Sequence, residues 1–203
     1  MQATLGVRRL ARGLARGLAL AREGGSAGSA RDGYRVAWKA TARLILAYVR
    51  VLVTGMSGVG KSTLVRELRR RGFRAYGADD DGFSEPRADG RWGWWVERVA
   101  DVLKQGEAAP DLVFFAGCSE EQVTLPFDYR VLLTAPAEIL VQRLMARTTN
   151  GYGRPAQQRA QVLADLAEVE PLLRRSADLI LVTTEPTPLI ADAVLSHVLA
   201  ATA

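Results

Sequence analysis

The sequence predicts an α/β protein in which a five-stranded parallel sheet lies between two layers of helices. Three observations carry this. From residue 50 onward, short β-branched and apolar runs alternate with longer amphipathic stretches, as strand–helix–strand units do. The strand-like runs are apolar at successive positions, as strands covered on both faces must be. Finally, the octapeptide Gly55-Met56-Ser57-Gly58-Val59-Gly60-Lys61-Ser62 fits G-x-x-x-x-G-K-[ST] and joins the first strand-like run to the first helical one.

In order, Arg50-Val51-Leu52-Val53-Thr54 reads as the first strand. A helix is predicted over Lys61–Arg71, because Leu64, Val65 and Leu68 share a face and Gly72 stands where a C-cap belongs. Further strands are expected at Arg74–Ala78, Leu112–Ala116, Arg130–Thr134 and Leu179–Thr183. Helices are expected near Trp94–Gln105, Ala137–Arg147, Ala156–Arg174 and Pro188–Ala201. Upstream, Trp38, Ala42, Ile45 and Leu46 recur at helical spacing, so 34–49 predicts a lead-in helix. Residues 1–33 are low-complexity Ala/Arg/Gly/Leu sequence, Gly/Ser-rich after Glu23, and predict a basic, disordered tail. An organelle transit peptide and sequence translated from upstream of the true start are the other readings of that segment. Residues 50–203 are expected to form the folded domain, with a lid near 147–157.

A chain of 203 residues suits one domain and is short for two. No apolar run approaches the roughly 18 residues of a spanning helix, so no membrane partner is expected. Cys118 is the only cysteine, which excludes an intrachain disulfide and a cysteine-built zinc site and predicts a cytoplasmic setting. The net charge of +5 is unevenly spread: 1–49 hold nine basic and two acidic side chains, and 50–203 hold 18 and 20. The domain is therefore slightly acidic, and nucleic acid is not expected as its partner. A monomer or homodimer is expected.

The glycines of the octapeptide let backbone N–H groups turn inward around phosphate oxygens, and the helix that follows adds partial positive charge there. Gly55, Ser57, Gly58, Val59, Gly60, Lys61, Ser62 and Thr63 are the expected phosphate-binding residues. Within that set Lys61 reaches the β- and γ-phosphates, and the Ser62 hydroxyl ligates Mg²⁺. This makes the fold class a P-loop NTPase-type three-layer α/β/α sandwich.

Beyond the loop, the second strand runs into Asp79-Asp80-Asp81-Gly82. Ligands of open α/β sheets bind at the carboxyl ends of the strands, so Asp79 or Asp81 is a candidate metal ligand or base toward an acceptor hydroxyl. The bland reading is a solvated acidic turn. Asp79-x-x-Gly82 also matches a GTPase pattern, but no N-K-x-D guanine-reading motif occurs in the chain, which argues against a GTPase switch. The third strand ends in Gly117-Cys118 without the aspartate of a Walker B motif, which points away from motor ATPases. Cys118 itself reads as a small buried residue. Arg143 and Arg147 are spaced i,i+4 on a helix that enters a glycine-hinged stretch carrying Arg154. Arg147 and Arg154 are the expected lid cations, able to neutralise charge on a transferring phosphoryl group. Trp92, Trp94 and Trp95 read as a hydrophobic anchor at a helix start, with stacking on a planar acceptor the alternative. His197 reads as a solvated helix residue.

Together these pieces resemble the P-loop nucleotide and small-molecule kinases, the group of adenylate, cytidylate, shikimate and gluconate kinases. The loop through Thr63 and the stretch from Arg130 to Leu144 carry the likeness. More narrowly, the Asp79–Asp81 turn, Gly117-Cys118 and Asn150-Gly151-Tyr152-Gly153 resemble a bacterial group of broad-specificity nucleoside-monophosphate kinases or AAA-family ATPases. The resemblance implies ATP as phosphoryl donor, Mg²⁺ as cofactor and a small-molecule acceptor. A nucleoside monophosphate is the expected acceptor; a small hydroxylated metabolite, or no acceptor in a nucleotide-binding regulatory module, are the alternatives.

Overall fold

A computed structural model describes residues 48–88, 91–105, 111–148 and 151–202. The expectations for the tail (1–33), for most of the lead-in helix (34–47) and for Thr149 and Asn150 lie outside the described residues. Of the remaining lead-in positions, Tyr48 lies in irregular chain and Val49 already belongs to the first strand.

Among the described residues seven strands and six helices follow one another (β1 Val49–Thr54, α1 Lys61–Arg70, β2 Arg74–Gly77, β3 Ser84–Pro86, β4 Trp92–Trp94, α2 Val96–Lys104, β5 Leu112–Ala116, β6 Tyr129–Thr134, α3 Ala137–Ala146, α4 Ala156–Glu168, α5 Glu170–Ser176, β7 Leu179–Val182, α6 Thr187–Thr202), with a 3₁₀ turn at Glu120–Val123. Five strands form a parallel sheet ordered β2-β5-β1-β6-β7. The predicted five-stranded parallel sheet is thus what the chain builds. β1 lies at its centre, flanked by β5 on one side and β6 on the other. The chain therefore crosses from one side of β1 to the other, which makes the carboxyl end of β1 a topological switch point.

Alternation along β1 assigns the two faces. Val51 and Val53 pack with Leu64, Val65 and Leu68 of α1 and with Val194, Leu195 and Val198 of α6. Leu52 faces the other way, into a second cluster with Phe115 of β5, Val99 and Leu103 of α2, and Trp94. Phe115 is the centre of that cluster, with the rings of Phe83 and Trp94 edge-on at 5.4 and 5.0 Å. α1 ends in a Schellman motif: Phe73 N–H donates to Leu68 O and Gly72 N–H to Arg69 O, with Gly72 at φ 86°.

Three local expectations are corrected. Trp92–Trp94 form an antiparallel hairpin with Ser84–Pro86 in place of the start of a helix, so that Trp92 is exposed and Trp94 buried. The predicted helix over 156–174 is two helices, because Pro171 brings no N–H to donate and its ring crowds the preceding turn. His197 is half-buried, its ring edge-on to Tyr129 at 6.4 Å, and so is not simply solvated.

Candidate active site

The loop from Gly55 to Gly60 leaves the carboxyl end of β1 and delivers the chain into α1. Three of its glycines take positive φ: Gly55 at 138°, Gly58 at 91° and Gly60 at 100°. Gly55 is the most constrained, since a Cβ there would lie 2.2 Å from the Leu133 carbonyl oxygen. Gly60 is the left-handed N-cap of α1, and no side chain caps that end. The first-turn N–H groups of α1 thus have neither an intrahelical partner nor a capping side chain, the arrangement that binds an anion.

Lys61 curls back over the loop. Its ammonium donates to Gly55 O at 2.6 Å and to Met56 O at 3.1 Å. Burial pushes its pKa below the usual lysine value; Cys118 and Asp79 oppose that shift and Arg147 adds to it. A thiol from just after β5, a carboxylate from just after β2 and a guanidinium from the end of α3 thus act electrostatically on the ammonium. Cys118 is exposed, contrary to the expectation of a buried residue. Its neighbour Gly117 explains why: a Cβ at 117 would meet Trp94 Cζ2 at 2.6 Å, so the chain presses against the indole and turns the next side chain outward.

The two candidate carboxylates separate. Asp79 accepts the Ser84 hydroxyl at 2.8 Å and stands near Lys61. Asp81 instead closes the turn beneath: its Oδ2 accepts Gly77 N–H at 2.7 Å and pairs with the Arg69 guanidinium. The candidate lid cations separate too. Arg147 donates to Ser57 Oγ at 3.1 Å, on the loop itself. Arg154 donates through Nε and Nη2 to the Arg147 carbonyl, and so braces the chain behind it. Arg143 reaches the loop at Gly58 O, 3.4 Å away, while holding Thr183 after β7. Gly153 lies against Leu144, where a Cβ would be 2.7 Å from Cδ2.

The β3–β4 hairpin brings Arg87 onto the backbone of Gly93, and Arg87 pairs with the buried Glu121. Arg91 pairs with Glu120 at 2.9 Å. Arg98 of α2 lies over the Trp95 ring at 5.6 Å and the Phe83 ring at 5.8 Å, with no carboxylate partner among the described residues. Among the described residues no group of three or more His, Cys, Asp or Glu side chains could hold a metal ion. Ser62 and Asp79 offer hard oxygen ligands, which suits a Mg²⁺ held mostly by phosphate oxygens and water. No described helix is long and apolar enough to cross a membrane.

The family model described as an AAA domain matches residues 51–164. The chain belongs to the AAA domain family. The match covers most of β1, the glycine loop, the β3–β4 hairpin, α2 and the arginine-bearing helix α3. No curated protein sequence matches this AAA-domain chain. Among solved structures it is similar to a shikimate kinase from Acinetobacter baumannii in complex with shikimate (17% identity, TM-score 0.55, covering 79% of this chain and 98% of that one). It is also similar to a sugar kinase from Janibacter sp. (20%, 0.54, 74% and 94%) and to a gluconokinase from Sinorhizobium meliloti (17%, 0.51, 77% and 95%). At these identities the likeness establishes the fold, which is that of the P-loop kinases.

Sequence reasoning missed Ser84, Thr183 and the Glu120 and Glu121 partners. None sits in a motif, and each becomes relevant only through tertiary contact.

Proposed function

We propose that this protein is an ATP-dependent phosphotransferase that moves the γ-phosphoryl group of ATP onto a hydroxyl of a small acceptor. One observation carries the reading: the glycine loop at the switch point of the sheet bends the Lys61 ammonium over its own carbonyls, and Asp79, just after β2, acts electrostatically on that ammonium. The loop amides and Lys61 hold the β- and γ-phosphates. Ser62 and Asp79 would hold the Mg²⁺, which would neutralise phosphate charge in such a reaction. Asp79 is placed to take the acceptor's proton as the new O–P bond forms and the bond to the departing ADP oxygen breaks. Arg147, which donates to Ser57 on the loop, is the lid cation placed to reach the transferring group. Arg154 supports it by fixing its carbonyl.

A small hydroxylated acceptor is favoured over a nucleoside monophosphate by the charge pattern of the hairpin. A phosphorylated acceptor calls for unpaired arginines after β2, yet Arg87 and Arg91 are already matched by Glu121 and Glu120. The nucleotide reading keeps one observation in its favour, the exposed Trp95 ring with Arg98 stacked on it, a platform for a planar base.

The test is ADP release coupled to acceptor consumption, across a panel of polyhydroxylated acids, sugars and nucleoside monophosphates. Acceptor-dependent turnover with a hydroxylated acid or sugar is the expected result. Turnover with nucleoside monophosphates alone restores the nucleotide reading. Nucleotide binding without turnover on any acceptor makes the chain a regulatory module.

A further inference from the structure

A chain of hydrogen bonds runs from the start of α5 to the nucleotide loop. Its origin is Glu170, a buried carboxylate at the start of α5. Glu170 Oε2 accepts the Thr134 hydroxyl at 2.8 Å, and its Oε1 takes Nε and Nη2 of Arg174 at 3.0 and 2.7 Å. Thr134 ends β6, and its carbonyl accepts both the N–H and the hydroxyl of Thr183, at 2.8 and 3.2 Å. Thr183 follows β7; its hydroxyl accepts Arg143 Nη1 at 3.0 Å and its carbonyl accepts Arg143 Nη2. Arg143 Nη1 also reaches the Gly58 carbonyl at 3.4 Å.

Thr134, Thr183 and Glu170 are all buried, so each missing bond in this chain would leave a polar group without water to replace it. The last link matters because peptide groups are planar and trans here. Holding the Gly58 carbonyl toward α3 points the N–H of Val59, on the opposite edge of the same peptide plane, into the loop. That N–H makes only a long contact, 3.4 Å, to Met56 O. It is therefore available to a phosphate oxygen whenever the carbonyl stays in place.

We propose that Glu170 is a positioning residue for the nucleotide loop: through Thr134, Thr183 and Arg143 it fixes the Gly58–Val59 peptide, and so sets donor-nucleotide affinity without touching the nucleotide. The effect should fall on ground-state binding, because the Val59 N–H meets a phosphate oxygen before and during transfer alike. The inference rests on the kinase reading only for the identity of the ligand. The chain also gives α5, which directly follows the helix after the lid, a route to the loop.

The experiment measures the Kd of the full-length protein for a fluorescent ATP analogue with Mg²⁺, alongside kcat and the acceptor KM. The variants are Glu170→Gln, Thr183→Val, their double mutant and Thr183→Ser, each checked by its melting curve well above the assay temperature. Glu170→Gln and Thr183→Val should each weaken nucleotide binding about fivefold, with kcat and acceptor KM within about twofold of the parent. The double mutant should be no weaker than the worse single, since both break one chain. Thr183→Ser, which keeps the hydroxyl, should bind like the parent. Unchanged Kd in both single variants, fully additive losses, or a loss confined to kcat would each overturn the proposal. A parent protein that binds nucleotide yet transfers no phosphoryl group refutes the kinase reading and leaves this test intact.

Discussion

Replacing Lys61 by Met keeps an unbranched stem and removes one charge, which makes two opposite predictions from the same geometry. For catalysis, the ammonium sits, preorganised by two carbonyls, on the loop that the proposed reaction assigns to the transferring phosphates. Loss of a single preorganised group of this kind costs about 3–4 kcal/mol of transition-state stabilisation, or roughly 10²–10³-fold in kcat. For stability the sign reverses. Each charged hydrogen bond returns about 1.5–3 kcal/mol net, while desolvating an ammonium costs several. The lowered pKa of Lys61, with burial its largest cause, says that desolvation wins. Below its folded-state pKa the group is charged in both the folded and unfolded chain, and the penalty is present in full. It is relieved only as pH rises from that value toward the ordinary 10.5. At neutral pH Lys61→Met should therefore hold or raise the melting temperature, each kcal/mol gained being worth roughly 2–4 °C. Turnover in the coupled assay and calorimetric melting at pH 7 measure the two effects on one sample. A variant that melts well below the parent, or one that retains near-native turnover, would refute the reasoning.

Other outcomes follow from the placement of individual carboxylates. Asp79→Asn should lower kcat about 10²-fold while leaving metal-free nucleotide binding intact, as measured by turnover across a Mg²⁺ titration and by fluorescence binding without metal. Asp81→Asn should do the reverse: activity stays within a few-fold, while the loss of the Gly77 cap and the Arg69 pair costs about 1 kcal/mol in a urea titration. Glu67 is held down to about 2, first by its hydrogen bonds from Arg70 and then by Arg71. Its stabilisation is full above the ordinary 4.5 and is lost as pH falls toward 2, so Glu67→Gln should flatten the acid limb of the melting profile by about 1 kcal/mol.

The order of strands and helices was legible because it is written in local pattern. β5 runs over Leu112–Ala116, as its unbroken apolar run predicts, and every other sheet strand agrees within one residue at an end. Short irregular elements were not legible. The β3–β4 hairpin exists because Gly93 admits the Arg87 guanidinium and Trp94 finds Phe115, contacts between segments that no local window contains. Pro171 was a readable break that the long periodicity over 156–174 concealed.

By itself the sequence determined the parallel sheet, the phosphate loop and the separation of charge between the first 49 residues and the domain. These depend on side-chain period, on glycine spacing and on composition, all of which survive in one dimension. Tertiary structure alone decided which groups meet at the site. Three adjacent aspartates look alike in a string, but one takes the Ser84 hydroxyl and acts electrostatically on Lys61 while another is consumed by Gly77 and Arg69, because a turn points successive side chains in different directions. Nothing in the string likewise tells that Arg87 and Arg91 are matched by Glu121 and Glu120, some thirty residues away in the chain, until the fold brings them together. Charge neutralisation is a property of distance in space, and the chain carries only distance along itself.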